Sequence, residues 1–490
     1  MNKLSAHRNL LIMAGLAAFS LAGYLLVSQA TFKLGFPLDD AWIHQTYARN
    51  LAVRGEWAFL PGKVSAGSTS PLWSLIISIG YFLHLDPLIW TYLAGWGALC
   101  GLAYIGDRLS QSILKSNSLR FPWIGVFLAV EWHLVWAAGS GMETCLHALL
   151  ILAFFWMLAS ERIPALAVGL VCGLTVWVRP DGVTLIGPAV MVIVLSNPSR
   201  PQIIRKLAWF MVGLVVFLTP YLIFNFVLGG HWWPNTFFAK QAEYAVLLKE
   251  SFLYRIGKLL IQPMVGAGIL IVPGFIYLLW HSWKLRKWMV IAAAIWWAGY
   301  TFIYAVSLPV TYQHARYLIP AMPVFFVLGG VGTYTLISRM SASVRSRLLR
   351  FAWISALFLV LAAFWVQGAL AYGEDVAIIE TEMVAMGHWI AENTPQDALI
   401  AAHDIGAIGY YGNRTILDMA GLISPEVIPF IRDEVRLAEY LDSQDVDYLV
   451  TFPEWYPLLS TLGKPVFQTQ SKFSVNAGGE NMTIYRWRGD

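Results

Sequence analysis

Apolar runs recur along the first three quarters of the chain, separated by short polar linkers. A membrane-spanning helix needs about 20 predominantly apolar residues. The runs at about 9–30, 87–107, 121–138, 144–160, 164–178, 182–196, 207–228, 261–280, 288–306, 318–337 and 351–371 therefore predict about eleven transmembrane helices. The first run resembles a signal peptide, but it is longer than a signal core and is followed by many more spans. It is read as a retained helix. Basic residues concentrate in alternate linkers. They are Lys3 and Arg8, then Arg108, Lys115 and Arg120, then Arg200, Arg205 and Lys206, then Lys284, Arg286 and Lys287, and finally Arg339, Arg345, Arg347 and Arg350. Almost no acids share these linkers, which is the positive-inside pattern. The other loops, 31–86, 139–143, 229–260 and 307–317, are then expected on the outer side.

The pattern changes after residue 371. Residues 372–490 are polar and hold 18 Asp and Glu against 7 Lys and Arg. "VAIIETEMVAMGHWIAENTP" predicts an amphipathic helix closed by Thr-Pro. "DALIAAH", "VDYLVTF" and "MTIYRW" predict strands, with "PEVIPFIRDEVRLAEYLDSQ" mostly helical between the first two. The expected organisation is a transmembrane module over 1–371 and an extracytoplasmic α/β domain over 372–490. Composition agrees, with 58% hydrophobic and 13% charged residues and a mean hydropathy of +0.60. Soluble domains carry about 25% charged residues. The pI of about 8.8 does not indicate nucleic acid, because the basic residues are dispersed among hydrophobic runs. The partner expected from composition is the lipid bilayer. Three cysteines, all in or beside apolar runs, offer no disulfide framework.

The loop 31–86 carries the most information. "DDAWIHQTYARNLAVRG" places Trp42, Ile43, Tyr47 and Leu51 at helical spacing, with Gly55 as a stop. Asp39 or Asp40 would cap that helix, since carboxylates accept backbone N–H bonds at a helix N-terminus. "PLWSLIISIGYFLHL" is apolar but short for a span and suits a helix at the membrane interface. The adjacent acids can also hold a cation, or one can serve as a general base oriented by the other.

"LDDAWIHQTYARNLAVRGEWAFLPGKVSAGSTSPLW" resembles the first periplasmic loop of GT-C glycosyltransferases. The likeness is greatest to the mycobacterial terminal arabinofuranosyltransferase group, and more distant to protein O-mannosyltransferases and lipid A aminoarabinose transferases. "GMET", "VRPDG", "PNTFFAK", "RYLIP" and "HDIGAIGYYGNRTILDMAGL" extend the resemblance over most of the chain. It implies a polytopic α-helical GT-C enzyme of the cytoplasmic membrane with its site on the outer face. Such an enzyme moves a pentose such as arabinofuranose, or a hexose such as mannose, from a polyprenyl-phosphate donor. The acceptor is a glycan, glycolipid or protein. The resemblance makes Asp39 the catalytic base, with Asp40 as partner or alternative.

A departing polyprenyl phosphate develops negative charge that nearby cations stabilise. Lys240, His314, Arg316 and Arg179 are candidates for that role; the alternative is snorkelling into the headgroups. Glu143 and Asp181 are candidates for sugar hydroxyls, for pairing with Arg179, or for capping the helices that follow. His44, Asn235, His403 and Asp404 complete the candidate substrate contacts, the last two opening a Gly-rich strand-to-loop crossing. Glu131 and His133 fall inside a predicted span, where ionisable groups are costly and often functional. No metal-ligand spacing such as His-Glu-x-x-His occurs, so no metal ligands are assigned; the resemblance leaves room for a divalent cation at Asp39 and Asp40. Two other readings are a flippase or transporter for lipid-linked glycans, and a membrane anchor for an outer binding module. No internal repeat supports the first, and an anchor does not need eleven spans.

Overall fold

The computed structural model describes residues 3–114, 121–160 and 162–488; Lys115 and Arg120 of the linker argument lie outside them. Each predicted apolar run is helical. Helix α1 (Lys3–Thr31) leads into α2 (Asp40–Arg54), the hairpin β1 (Ala58–Leu60) and β2 (Lys63–Val64), and α3 (Pro71–Phe82). The bundle continues through α4 (Pro87–Leu114), α5 (Trp123–Val130), α6 (Trp132–Gly139), α7 (Thr144–Leu158), α8 (Ala165–Val178), α9 (Ile186–Ser196) and α10 (Arg200–Gly229). After α11 (Asn235–Glu243) and α12 (Phe252–Ile261) come α13 (Gly268–Lys284), α14 (Trp288–Ser307), α15 (Met322–Arg339) and α16 (Val344–Ile379). Six helices are long and apolar enough to span a membrane, or seven if the pair Phe252–Met264 and Gly268–Lys284, bent by 102°, counts as one. The expected count of eleven is not reached by length, because three of the predicted runs form short helices, Thr144–Leu158, Ala165–Val178 and Pro180–Ser196, and the run 121–138 is broken in two. The run 121–138 is split at Glu131, whose side chain accepts the Leu134 amide at 3.2 Å and His133 Nδ1 at 2.8 Å. Glu131 thereby caps α6, and the interior acid is satisfied by its own chain.

Helix pairs in the bundle meet through glycines. A Cβ at Gly213 would collide with the carbonyl oxygen of Leu166, and one at Gly169 with that of Phe210, so α8 and α10 touch backbone to backbone. Gly274 and Gly332 do the same for α13 and α15. Apolar burial gives little drive between helices in lipid, so close van der Waals approach at small residues does the holding.

Helix α16 does not stop at residue 371. It runs through a π-helical turn, Glu380–Val384, into α17 (Ala385–Asn393), giving 50 continuous helical residues. The expected division at 371–372 thus falls inside a continuous helix. The π turn faces Glu380 and Glu382 to opposite tasks. Glu380 pairs with Lys33 at 2.6 Å. Glu382 accepts from Ser474 Oγ at 2.7 Å and the Met482 amide at 2.9 Å. Beyond lies a five-stranded sheet of order β4-β3-β5-β7-β6, where β3 is Leu399–Ala402, β4 Thr415–Asp418, β5 Tyr448–Thr451, β6 Gly463–Gln468 and β7 Thr483–Trp487. Strands β4, β3 and β5 are parallel, while β7 runs antiparallel to β5 and β6. Helix α18 (Gly406–Gly412) follows β3 where an open crossing was expected, and α19 (Glu434–Ser443) precedes β5.

Replacing Gly332 by Val should push α13 and α15 apart and lower the unfolding temperature by several degrees, in line with the 1–3 kcal/mol typical of overpacking. Thermal unfolding of the purified protein in detergent measures it; an unchanged midpoint would mean the contact is not close.

Candidate active site

The four loops expected on one side converge on a single cavity of about 330 Å³. Asp40 and His44 come from α2, and Glu143 from the turn before α7. Arg179 and Asp181 follow α8. Lys240 comes from α11 and Arg316 from the segment before α15. Leu422 of the α/β domain also lines it. Apolar walls are supplied by Trp233, Phe237, Ile303 and Leu308.

The two adjacent acids are separated by this geometry. Asp39 has helical dihedrals, φ −62° and ψ −38°, but its side chain caps nothing in α2. It accepts instead the amides of Gly406 at 2.7 Å and Ala407 at 2.8 Å, at the N-terminus of α18. The capping expected within α2 is thus replaced by capping of a helix in the other domain. Gly406 is required there, because a Cβ would collide with the Asp39 carbonyl oxygen. Asp39 does not line the cavity, whereas Asp40 does and pairs with Arg316 at 2.6 Å.

Behind Asp40 the charges are interlocked. Arg179 binds Glu143 at 3.0 Å and Asp181 at 3.4 Å. Glu143 also meets His44 at 3.4 Å, and His44 Nδ1 meets Ser74 Oγ at 2.9 Å. Asp181 accepts the hydroxyls of Tyr300 at 2.5 Å and Tyr304 at 2.6 Å and meets His147 at 3.1 Å. Neither Glu143 nor Asp181 caps its helix; both are held by Arg179. Lys240 pairs with Glu243 at 3.2 Å, and Glu243 meets His403 at 3.2 Å.

His314 stands apart from the cavity. It pairs with Asp375 at 2.8 Å and sits edge-on to Trp132 and Trp136, so a phosphate contact through it is not what this arrangement offers. Gln313, His314 and Ala315 have φ of 52°, 58° and 53°, three successive left-handed residues that deliver Arg316 to Asp40. Such a conformation costs about 1–2 kcal/mol per residue, and the anchored His314 helps hold it.

Against solved structures, the chain is similar to ArnT from Cupriavidus metallidurans bound to undecaprenyl phosphate, with a TM-score of 0.61 and 14% identity over 96% of this chain and 97% of that one. It is similar to the Archaeoglobus fulgidus oligosaccharyltransferase in the apo form, with a TM-score of 0.61 and 12% identity over 94% and 73% of the two chains. It is also similar to the arabinofuranosyltransferase AftD from Mycobacteria, with a TM-score of 0.51 and 15% identity over 97% of this chain but 40% of that one. The chain has the GT-C fold. A family model described as a domain of unknown function, DUF8728, matches residues 374–485. No curated protein matches the chain significantly.

Within this GT-C bundle, Asn235 is buried at the start of α11 but off the cavity wall. His403 is held by Tyr456 at 2.8 Å as well as by Glu243. Asp404 is half-buried, with its Oδ2 enclosed and unpartnered. Glu243 was not singled out from the sequence, though its i+3 spacing from Lys240 on one helix is a readable pairing signal. Tyr300 and Tyr304 had no such signal, since aromatics fill every span. A divalent cation does not fit beside Asp39 and Asp40. Both Asp39 oxygens accept amides and Asp40 faces a guanidinium, so a metal would meet positive charge. Among the described residues, no three His, Cys, Asp or Glu side chains cluster to hold one.

Burial raises Asp39 to about 8, with Asp404 adding to the rise and the two amides opposing it. Burial likewise lifts Asp404 to about 6 against the pull of His403 and Lys240. Burial would raise Asp40 too, but Arg316 and Lys240 outweigh it and bring it down to about 2. His403 is lowered by burial yet ends above its ordinary value through its bond to Glu243. Unfolded carboxylates titrate near 3.9, so the folded state binds more protons than the unfolded between about pH 4 and 8. Stability must fall as pH rises through that window, His403 contributing in the same sense. We expect the unfolding temperature to decline from pH 5 to 8.5. Asp404→Asn, which removes the like charge beside Asp39, should make the decline shallower. An unchanged slope would show that the two carboxylates do not interact.

Proposed function

We propose that this chain is a membrane glycosyltransferase that takes a pentose or hexose from a polyprenyl-phosphate donor, on the outer face of the cytoplasmic membrane. One observation carries the reading: a single cavity presents a carboxylate, Asp40, beside two cations, Lys240 and Arg316, between the bundle and the α/β domain. ArnT is bound to undecaprenyl phosphate in its structure, and AglB from Archaeoglobus fulgidus to an inhibitory peptide and dolichol-phosphate. Those ligands support a polyprenyl phosphate here, and the positive-inside linkers support the outward placement.

In this reading the base is Asp40 rather than Asp39, because Asp39 is spent on the amides of α18. The acceptor hydroxyl gives its proton to Asp40. Its oxygen forms a bond to the anomeric carbon from the face opposite the phosphate, and the carbon–oxygen bond to the phosphate breaks. The electron pair leaves with the polyprenyl phosphate, whose charge falls to Arg316 and Lys240. Inversion at the anomeric carbon follows from that single displacement. Donor binding also prepares the base. The cations that hold Asp40 low are partly neutralised by the arriving phosphate, so its proton affinity rises when a donor is present. Arg179, Glu143, Asp181 and His44 form the wall that orients the sugar and acceptor. The acceptor, a glycan, glycolipid or protein, enters beside the α/β domain.

Asp40→Asn should lower transfer from labelled polyprenyl-phosphate sugars by about 10²–10⁴-fold, the usual worth of a general base, while donor binding persists. Lys240→Ala and Arg316→Ala should weaken donor binding. Asp39→Asn should act mainly on stability. Full transfer by Asp40→Asn, with its unfolding temperature intact, would remove the base assignment. A panel of donor sugars offered to the wild type identifies the sugar.

A further inference from the structure

The helices that frame the candidate site have their other ends around a second cavity. Helices α7, α8, α9 and α14 each have one end near the first cavity and the other on this one. At about 1.5 Å per residue, fourteen-residue helices hold the two roughly 20 Å apart. The second cavity is larger, about 1010 Å³. Five cations line it: Arg162 from the turn between α7 and α8, Arg205 and Lys206 from the start of α10, and Arg286 and Lys287 from the turn between α13 and α14. No carboxylate lines it among the described residues.

Arg162, Arg205 and Arg286 are exposed, and their side chains make no ion pair or hydrogen bond among the described residues. Lys206 is bound to Asn197 at 2.7 Å. Below the cations the walls are apolar, including Leu158, Leu166, Val168, Val192 and Ile193, and Trp209 and Trp288 stand at the rim. Snorkelling alone would splay such side chains outward from separate helix ends. Here cations from three separate linkers converge on one concavity whose floor suits hydrocarbon.

We infer that this cavity is a binding site for the phosphate headgroup of an anionic membrane lipid, with its chain against the apolar wall. Guanidinium groups match phosphate oxygens in a bidentate fashion, and basic pockets between helix ends take lipid headgroups in membrane proteins. The apolar floor favours a lipid over a soluble phosphate. This inference is independent of the glycosyl-transfer reading, since none of its residues lines the first cavity.

The test uses the full chain in nanodiscs of phosphatidylglycerol or phosphatidylcholine, followed by native mass spectrometry of retained lipid. Wild type should retain one phosphatidylglycerol and no phosphatidylcholine. The variant Arg162→Ala, Arg205→Ala, Arg286→Ala should lose retention by about tenfold or more. The variant Arg339→Ala, Arg345→Ala, Arg347→Ala removes equal charge at the same end of the bundle, outside the cavity, and should retain the lipid. Equal loss in both variants would overturn the site in favour of bulk surface charge. Displacement of phosphatidylglycerol by millimolar inorganic phosphate would overturn the lipid assignment. Unfolding temperatures within a few degrees of wild type keep misfolding from mimicking loss.

Discussion

The seating of one carboxylate on two amides organises the half of the molecule where the bundle meets the α/β domain. Asp39 receives the first N–H groups of α18, which would otherwise be orphaned at a buried helix end. Successive helical residues point about 100° apart, because 3.6 residues complete a turn. Asp39 is already helical in its dihedrals, so aiming it at the α/β domain turns Asp40 away from that domain and into the cavity. Adjacent acids at a helix start therefore divide their work by geometry alone. The absence of a Cβ at Gly406 is what lets the two backbones come this close.

The cavity stores charge in pairs. Burying an ion without a partner costs several kcal/mol, and each acid of the wall, the buried Glu143 and the half-buried Asp40 and Asp181, faces a cation: Asp40 with Arg316, Glu143 and Asp181 with Arg179. The pairs differ in readiness. Arg179 is locked between two carboxylates, whereas Arg316 has one carboxylate partner and Lys240 has Glu243 at the edge. An anionic ligand can therefore draw on Arg316 and Lys240 with less loss than on Arg179. The left-handed turn 313–315 fits this picture. Local strain is spent to hold a cation where phosphate would arrive, and the His314–Asp375 pair on α16 is part of what offsets it.

Much of this was legible in the sequence, and what was not has physical reasons. The apolar runs located the helices, and α2, α3, β3, β5 and β7 follow from periodicity and Gly or Pro punctuation. The four loops that linker charge groups together line one cavity. Strands β1 and β2 escaped notice because they are only two or three residues long, and β6 because it holds Pro465 and is largely exposed. The roles of Asp39 and His314 were not readable, since each depends on a partner more than sixty residues away, Gly406 and Asp375. Eleven spans are not reached by length, because helices packed inside a bundle can be shorter than a lipid-facing one.

The expected boundary at 371–372 falls within a helix that both parts share. The rod Val344–Asn393 crosses it unbroken, and the α/β domain is bound to the membrane module at several further points. Arg432 donates to the Glu243 carbonyl at 2.9 Å, Arg49 to the Tyr410 carbonyl at 2.9 Å, and His403 meets the carboxylate that holds Lys240. Leu422 closes the cavity from the domain side. An anchored but independent binding module would need none of these ties. The domain contributes Leu422 to the cavity lining, and its His403 binds Glu243, the carboxylate that pairs with Lys240.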